Sequence, residues 1–234
     1  MRRLLLLSNS TQHARGYLDH AFEELLSVLD GARRVLFVPF ALHDRAGYTA
    51  KFRERMTAAG IETDELTADA TGARRIEAAE AVFVGGGNTF RLLKTLHEAG
   101  LTAPLSARAR AGMPYLGASA GINVAGPTIR TTNDMPIVEP PSFDALGLVP
   151  FQINPHYLDP EPGSTHMGET REQRIVEFLE ENDRVVVGLR EGGWIRVDGD
   201  RGRLGGSRGA RIFRRGAAPE ERPPGAALDD LLGG

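Results

Sequence analysis

The stretch Tyr115–Val124, with the sequence YLGASAGINV, decides the fold. An apolar run ends in a Gly-x-Ser-x-Gly turn of small residues, and a helical segment, Ile122–Val124, follows it. This pattern is typical of a sharp strand-to-helix turn that exposes a serine side chain. Open α/β sheets place their ligands at the C-terminal ends of their strands. The stretch therefore predicts an α/β sheet with Ser119 in its functional site.

Similar short apolar runs alternate with longer helical patterns along the whole chain. The predicted strands are Leu4–Leu7, Val35–Val38, Ala81–Val84, Tyr115–Gly117, Val149–Ile153 and Val185–Leu189. The predicted helices are Tyr17–Leu29, Thr49–Ala59, Thr89–Glu98 and Thr170–Glu181. Most of the strands are continuously apolar, which is typical of strands covered on both faces. The βαβα order predicts a mainly parallel sheet with helices on both faces.

The C-terminal part of the chain has a different pattern. Trp194–Val197, the turn-forming Asp198–Asp200 and Ala210–Phe213 predict antiparallel strands at one edge of the sheet, near the C-terminus. After Arg215 the sequence is rich in Ala, Gly, Pro and acidic residues. We therefore expect one α/β domain over residues 1–215 and a loosely ordered tail over residues 216–234. The antiparallel edge would allow a homodimer.

Composition excludes several classes of function. The net charge of −3, from 28 basic and 31 acidic residues, gives no field for nucleic acid or for an anionic membrane surface. The absence of cysteine excludes a thiol nucleophile and a thiolate metal site. The apolar run at Leu4–Leu7 is too short for an export signal and fits a buried strand, and no run is long enough to span a membrane. The sequence predicts a cytoplasmic protein.

A serine nucleophile needs a base and an acid that orients the base. His156 lies directly after a predicted buried strand, on a loop stiffened by Pro155. Glu191 has the same position after the next strand and precedes two glycines. The chain order Ser119, His156, Glu191 differs from the Ser, acid, His order of α/β-hydrolases, so the turn does not imply that fold.

The glycine-rich junction Val84–Phe90 predicts backbone donors for an oxyanion. Gly86 or Gly87 would supply one N–H, and Ala120 would supply another. A phosphate-binding loop is the competing interpretation. The junction lacks the Gly-Lys-Ser/Thr ending of a P-loop, and Phe90 stands where a dinucleotide fingerprint needs its third glycine. We favour the oxyanion role and expect no cofactor.

Taken together, these segments resemble peptidase E, the α-aspartyl dipeptidase family of serine peptidases. The resemblance runs from the first strand to about residue 215. Its most specific blocks are Val84–Leu93, Gly117–Val138, Asn154–Asp159 and His166–Ile175. It implies a fold similar to the class I glutamine amidotransferase domain, with serine in place of that group's cysteine. It also implies a catalytic Ser119, His156 and Glu191, and hydrolysis of dipeptides and some short peptides with an N-terminal aspartate.

Such a substrate would need two charged recognition groups. Asp134 is the candidate for the α-amino group, and Arg171 is the candidate for the aspartyl carboxylate, which a guanidinium can bind with two hydrogen bonds. Asn154 and Thr131 would add hydrogen bonds. His166 and Glu169 are two metal-type ligands without an obvious third, so we expect no metal site.

Two rival functions stay open from the sequence. One is a cyanophycinase-like serine hydrolase that cleaves β-aspartyl bonds, against which the short chain and the Thr-Asn-Asp block argue. The other is a non-catalytic small-molecule binding protein on the same fold. Such a protein would have little reason to keep Ser119, His156 and Glu191 at three strand ends.

Overall fold

The computed structural model describes residues 1–160, 163, 165 and 168–233. Eleven strands are present in these residues, and they form two sheets. In chain order they are β1 (Arg3–Leu7), β2 (Arg34–Val38), β3 (Glu62–Glu65), β4 (Ala81–Val84), β5 (Tyr115–Ala118), β6 (Gln152–Pro155), β7 (Val186–Leu189), β8 (Gly193–Asp198), β9 (Arg201–Gly206), β10 (Ala210–Phe213) and β11 (Glu220–Arg222). The strands alternate with helices as the sequence predicts.

The larger sheet has seven strands in the order β3-β2-β4-β5-β1-β8-β9. The pairs from β3 to β1 are parallel, and β8 and β9 add an antiparallel edge. In β1, Leu4 and Leu6 join one apolar cluster, whereas Leu5 and Leu7 join another. The two clusters lie on opposite faces because successive side chains of a strand point to opposite sides. This arrangement explains why the strand is continuously apolar.

Seven α-helices in the described part of the chain cover the sheets. They are α1 (Phe22–Leu29), α2 (Arg45–Thr57), α3 (Gly72–Ala78), α4 (Thr89–Glu98), α5 (Thr102–Ala111), α6 (Ala120–Asn123) and α7 (Arg171–Glu181). Leucine and phenylalanine side chains of α1 and α2 pack in one cluster, and those of α4 and α5 pack in the other. Helices on both faces of a mainly parallel sheet with an antiparallel edge confirm the predicted fold class. No helix of the described residues is long and apolar enough to cross a membrane.

The smaller sheet has four strands in the order β11-β10-β7-β6. Strands β6 and β7 are parallel, and β10 and β11 are antiparallel to their neighbours. Helix α7 covers this sheet through Ile175 and Leu179, which pack with Tyr157, Val186 and Phe213. The sequence predicted a single sheet, and this was wrong. The apolar runs show that β6 and β7 are buried, but they do not show which strands are their partners.

Local chemistry explains which of the observed elements the sequence predicted and which it did not. Helix α4 matches its prediction, because Asn88 accepts the Arg91 N–H at its start and an apolar stripe follows. The sequence analysis missed α3, α5 and β3. Only Leu105 and Ala109 of α5 are buried apolar residues, and β3 is a charged edge strand with the sequence ETDE. These elements carry too weak an apolar pattern to be found by periodicity.

The tail after residue 215 is not loosely held, in contrast to the prediction. Strand β11 pairs with β10, and Leu228, Leu231 and Leu232 lie in the main core cluster. The Leu228 N–H donates to the Gly202 carbonyl oxygen at 2.8 Å. Three apolar side chains in a polar, glycine-rich segment are sufficient to fix it against the sheet edge.

Replacing Leu228 by Ala tests whether this tail contributes to stability. Leu228 is fully buried, so we expect the free energy of unfolding to fall by about 2–4 kcal/mol in urea titrations. Leu26→Ala is the control, because Leu26 is 39% exposed on α1, and its cost should stay below about 1 kcal/mol. Equal small losses from both substitutions would mean that the tail is held loosely after all.

Candidate active site

Ser119 occupies a strained turn between β5 and α6. Its φ of 52° and ψ of −112° lie outside the regions that serine normally adopts. The flanking glycines permit this turn. A Cβ on Gly121 would come within 2.2 Å of the Val84 carbonyl oxygen, and one on Gly117 within 2.7 Å of the Gly121 oxygen. The helix begins directly after the serine, because the Ile122 and Asn123 N–H groups both donate to the Ser119 carbonyl oxygen.

Two hydrogen bonds join the three residues that the sequence singled out. His156 Nε2 lies 2.8 Å from Ser119 Oγ, and His156 Nδ1 lies 2.6 Å from Glu191 Oε1. A base within hydrogen-bond reach of a serine, and oriented by a carboxylate, is the arrangement of a serine nucleophile with its base. The structure therefore brings the three predicted residues together, with His156 in contact with both Ser119 and Glu191.

The three residues come from the ends of strands in different sheets. Ser119 follows β5 of the seven-stranded sheet, and His156 and Glu191 follow β6 and β7 of the four-stranded sheet. Pro155 and Leu189 are register partners, so the two loops leave their sheet side by side. His156 has a φ of 53°, and its loop is secured by the Tyr157 N–H, which donates to the Leu189 oxygen. The hydrogen bond between His156 and Ser119 thus spans the gap between the sheets.

Ser8 is a site residue that the sequence analysis missed. Its buried Oγ donates to the Leu189 oxygen at 2.8 Å and accepts the His156 N–H at 2.9 Å. Its own N–H donates to the Gly193 oxygen, and the neighbouring Asn9 accepts the Gly192 N–H through Oδ1. These bonds hold the loops of the base and the acid against the end of β1. The only sign of Ser8 in the sequence was a polar Ser-Asn pair directly after a predicted buried strand.

Tyr48 is a second residue that the sequence patterns did not indicate, and it changes the assignment of the oxyanion donors. The buried Gly86 N–H donates to the hydroxyl of Tyr48 at 2.8 Å, so Gly86 does not offer a free donor, in contrast to the prediction. Gly87 has a φ of 132°, and a Cβ there would meet the Ala41 oxygen at 2.7 Å, so glycine is required. No partner for the Gly87 or Ala120 N–H occurs among the described residues. These two donors stay a prediction.

Thr131 and Asn154 are buried and hydrogen-bonded to each other's segments. The Thr131 hydroxyl donates to the Ile153 oxygen, and Asn154 Nδ2 donates to the Thr131 oxygen and to Asn133 Oδ1. Asn133 in turn donates to the Pro155 oxygen at 2.7 Å. These bonds attach the loop around residues 131–133 to the strand that carries His156. Asn154 Oδ1 is buried without a hydrogen-bond partner in the part of the chain that the structure describes.

The charge of Asp134 acts on Arg171, although the two residues come from distant parts of the sequence. Asp134 Oδ2 accepts two hydrogen bonds from Thr89, from its N–H and its hydroxyl, at the start of α4. Burial and the neighbouring Arg174 lower the pKa of Arg171, and the charge of Asp134 partly opposes this shift. Acids close to Arg171 in sequence pair with other residues: Glu169 with Arg174, and Glu172 with Arg211. No carboxylate of the described residues lies within 4.0 Å of the Arg171 guanidinium.

A cleft of about 480 Å³ opens beside Ser119. It is lined by Asn9, Ser10, Thr11, Tyr17, Leu42, Asp44, Gly47, Tyr48, Lys51, Gly86, Gly87, Ser119, His156 and Glu191. Its volume suits a small ligand. The predicted substrate residues Thr131, Asp134, Asn154 and Arg171 are not among its lining residues.

The described residues contain no cluster of three or more His, Asp or Glu side chains arranged for a metal ion. Glu169 forms an ion pair with Arg174. His166, which was considered beside Glu169 as a metal-type ligand, lies outside the described residues.

Comparison with known proteins identifies the family. The model of peptidase family S51 matches residues 4–205, which include Ser119, His156 and Glu191. The chain belongs to peptidase family S51. This membership confirms the resemblance stated from the sequence and the predicted enzyme class, a serine-type dipeptidase.

Named relatives of this S51 peptidase cover nearly the whole chain. A protein named "Peptidase E" from Streptomyces coelicolor is 60% identical over 229 residues, which is 98% of this chain and 94% of the relative. A protein named "Probable alpha-aspartyl dipeptidase" from Drosophila melanogaster is 48% identical, with 99% and 98% of the two chains covered. The crystal structure of a peptidase from an acI-B1 actinobacterium has a TM-score of 0.75 at 17% identity, over 97% and 96% of the chains. This last likeness shows the fold alone.

Ser8→Ala tests the contribution of Ser8 to the geometry of the base. The substitution leaves the His156 N–H without its partner and removes one of the two hydrogen bonds, from Ser8 and Tyr157, that the Leu189 oxygen accepts. We expect a stability loss of about 1–3 kcal/mol and a fall in kcat of about tenfold for any peptide that the enzyme cleaves.

The control is Ser106→Ala, because the Ser106 hydroxyl also donates to a backbone oxygen, that of Leu146, and Ser106 does not line the cleft. It should lose stability without a comparable loss of kcat. A Ser8→Ala enzyme with unchanged kcat would exclude the positioning role.

Proposed function

We propose that this S51 peptidase hydrolyses dipeptides and short peptides with an N-terminal aspartate through an acyl-enzyme. Ser119 is the nucleophile, His156 is the general base and Glu191 orients the base. The observation that carries the proposal is the unbroken series of hydrogen bonds at 2.8 Å and 2.6 Å from Ser119 Oγ through His156 to Glu191. The name of the Drosophila relative supports the choice of substrate.

In the first step, Ser119 Oγ attacks the carbonyl carbon of the aspartyl residue. His156 Nε2 takes the serine proton, and Glu191 stabilises the imidazolium through Nδ1–H. The Gly87 and Ala120 N–H groups are the proposed donors to the oxyanion. When the tetrahedral intermediate breaks down, His156 delivers the proton to the leaving amine. In the second half, water attacks the ester with the same base, which regenerates Ser119.

The aspartyl residue of the substrate carries an ammonium group and a carboxylate close together. Asp134 and Arg171 form a pair of opposite charges that matches these two groups. In this proposal Asp134 faces the amine, which also meets the unpartnered Asn154 Oδ1, and Arg171 binds the side-chain carboxylate. Thr131 contributes by fixing Asn154 and its loop, since its hydroxyl donates to the Ile153 oxygen.

The cytoplasmic location and the homodimer that the sequence predicts stay predictions. The same holds for the likeness to the class I glutamine amidotransferase domain and for the expected lack of a cofactor.

Ser119→Ala tests the nucleophile. Without Ser119 Oγ no acyl-enzyme can form, so kcat for Asp-Leu should fall by about 10⁴-fold or more. Peptide binding, measured by calorimetry, should change little because the hydroxyl is small. The assay measures amine release from Asp-Leu in the presence of a chelator, with a serine-directed phosphonate as a label for the wild-type enzyme.

Turnover by Ser119→Ala at the wild-type rate would remove the serine mechanism. Failure of the wild type to react with the phosphonate or with any peptide would favour the binding-protein alternative. Cleavage of β-aspartyl-arginine in preference to Asp-Leu would favour the β-aspartyl hydrolase.

Arg171→Met tests the recognition of the aspartyl side chain. Methionine keeps much of the length of the side chain and removes the charge, so kcat/KM for Asp-Leu should fall by about 100-fold, whereas kcat/KM for Asn-Leu should change less than about threefold. Arg174→Met is the matched control, because Arg174 lies one turn along α7 and already pairs with Glu169. Equal losses for both peptides would remove Arg171 from the specificity site.

A further inference from the structure

One wall of the cleft beside Ser119 is a face of helix α2. Gly47, Tyr48 and Lys51 line it from the helix, and Asp44 lines it from the cap position before the helix. Residues three and four apart share a helix face, which places Asp44, Tyr48 and Lys51 in one row. The Tyr48 hydroxyl contacts Gly86, and a Cβ on Gly86 would lie 3.1 Å from Ser119 Cβ. The middle of the row, at Tyr48, therefore lies close to the nucleophile, and Lys51 follows about one helical turn further along.

Lys51 is the only arginine or lysine among the residues that line this cleft in the described structure. Its Nζ lies 4.7 Å from the centroid of the Tyr17 ring, a cation–π contact that holds the ammonium group at the cleft. Tyr17 is itself buried, and this burial raises the pKa of its hydroxyl, so the residue beside Lys51 stays neutral. Within the described residues no carboxylate lies within 4.0 Å of Lys51, whereas Lys94 pairs with Glu98.

Two acids, Asp44 and Glu191, line the cleft. Asp44 lies away from Lys51, and Glu191 already binds His156. Asp44 Oδ1 accepts the Gly47 N–H at the start of α2, and seven residues of helix separate it from Lys51 by about 10 Å along the axis. Glu191 accepts the hydrogen bond of His156. The end of the cleft at Lys51 therefore attracts an anion.

A dipeptide carries two carboxylates, one on each side of the scissile bond. The candidates for the aspartyl residue, Asp134 and Arg171, do not line this cleft. The leaving amino acid ends in a carboxylate about one residue, or about 3.5 Å, from the scissile bond. The cleft that Ser119 lines has room for such a residue, and its one cation pairs with no carboxylate of the described residues.

We propose that this cleft is the subsite of the leaving amino acid, and that Lys51 Nζ binds its C-terminal carboxylate. The inference rests on the proposed function, since it takes an Asp-Xaa peptide as substrate. Lys51 is then the residue that selects dipeptides, because a third residue replaces the carboxylate by a neutral amide. Its charge acts on the side of the bond that Arg171 does not contact.

The experiment measures kcat/KM of wild type, Lys51→Met and Lys51→Arg for Asp-Leu, Asn-Leu and the C-terminal amide of Asp-Leu. Wild type should prefer Asp-Leu over its amide by about tenfold, the usual effect of one charge-assisted hydrogen bond. Lys51→Met should lose this preference, mainly through a higher KM for Asp-Leu, and should retain the preference for Asp-Leu over Asn-Leu. Lys51→Arg should retain both preferences.

Lys94→Met is the matched control, because Lys94 is the other lysine of the chain and lies on α4 away from the cleft. It should behave as wild type. Thermal unfolding of each variant shows that the fold is retained.

Three results would overturn the inference. Equal kcat/KM of the wild type for Asp-Leu and its amide would remove the carboxylate contact and leave the proposed function intact. A Lys51→Met enzyme that loses the preference for Asp-Leu over Asn-Leu would assign Lys51 to the aspartyl side chain instead. A wild type that cleaves none of the three peptides would overturn the proposed function as well.

Discussion

Ser8 accepts the His156 N–H and donates to the Leu189 oxygen at the junction of the two sheets. Ser119 belongs to one sheet, and His156 and Glu191 belong to the other, so a small shift between the sheets would separate the base from the serine. Hydrogen bonds weaken steeply with distance, so the 2.8 Å contact requires a fixed relation between the sheets. The buried bonds of Ser8 and Asn9 supply it, because both residues directly follow β1, which pairs with β5 in the sheet of Ser119.

The sequence was sufficient to single out the residues whose position at the site depends on local chemistry. The Gly-x-Ser-x-Gly turn predicted Ser119 because only small neighbours permit its backbone, and strand ends predicted His156 and Glu191. Ser8 and Tyr48 could not be found in this way. Their bonds join residues 148 and 38 positions apart, and nothing in a local pattern reports such a pairing. The division into two sheets was missed for the same reason, since an apolar run indicates burial but not its partner strand.

In the proposed function, two cations bind the two carboxylates of the substrate. Arg171 is proposed to bind the aspartyl carboxylate, and Lys51, which lies over the Tyr17 ring in the cleft, is proposed to bind the C-terminal carboxylate. The sequence offered Arg171 as a candidate for the aspartyl carboxylate, but it gave no indication of Lys51. A single lysine in a helix has no sequence signal of its own, and only the row formed with Tyr48 places it in the cleft that Ser119 also lines.

The C-terminal strand β11 also reaches the catalytic loops. Its Glu221 pairs with Arg190, which precedes Glu191 and binds Asp159 of the His156 loop through two hydrogen bonds. Ribosomes make proteins from the N-terminus, so β11 is made after the catalytic loops that it helps to support. A nascent chain therefore contains Ser119, His156 and Glu191 before it contains Glu221, the partner of Arg190. The loops of His156 and Glu191 are therefore made first, and the strand that completes their support is made later.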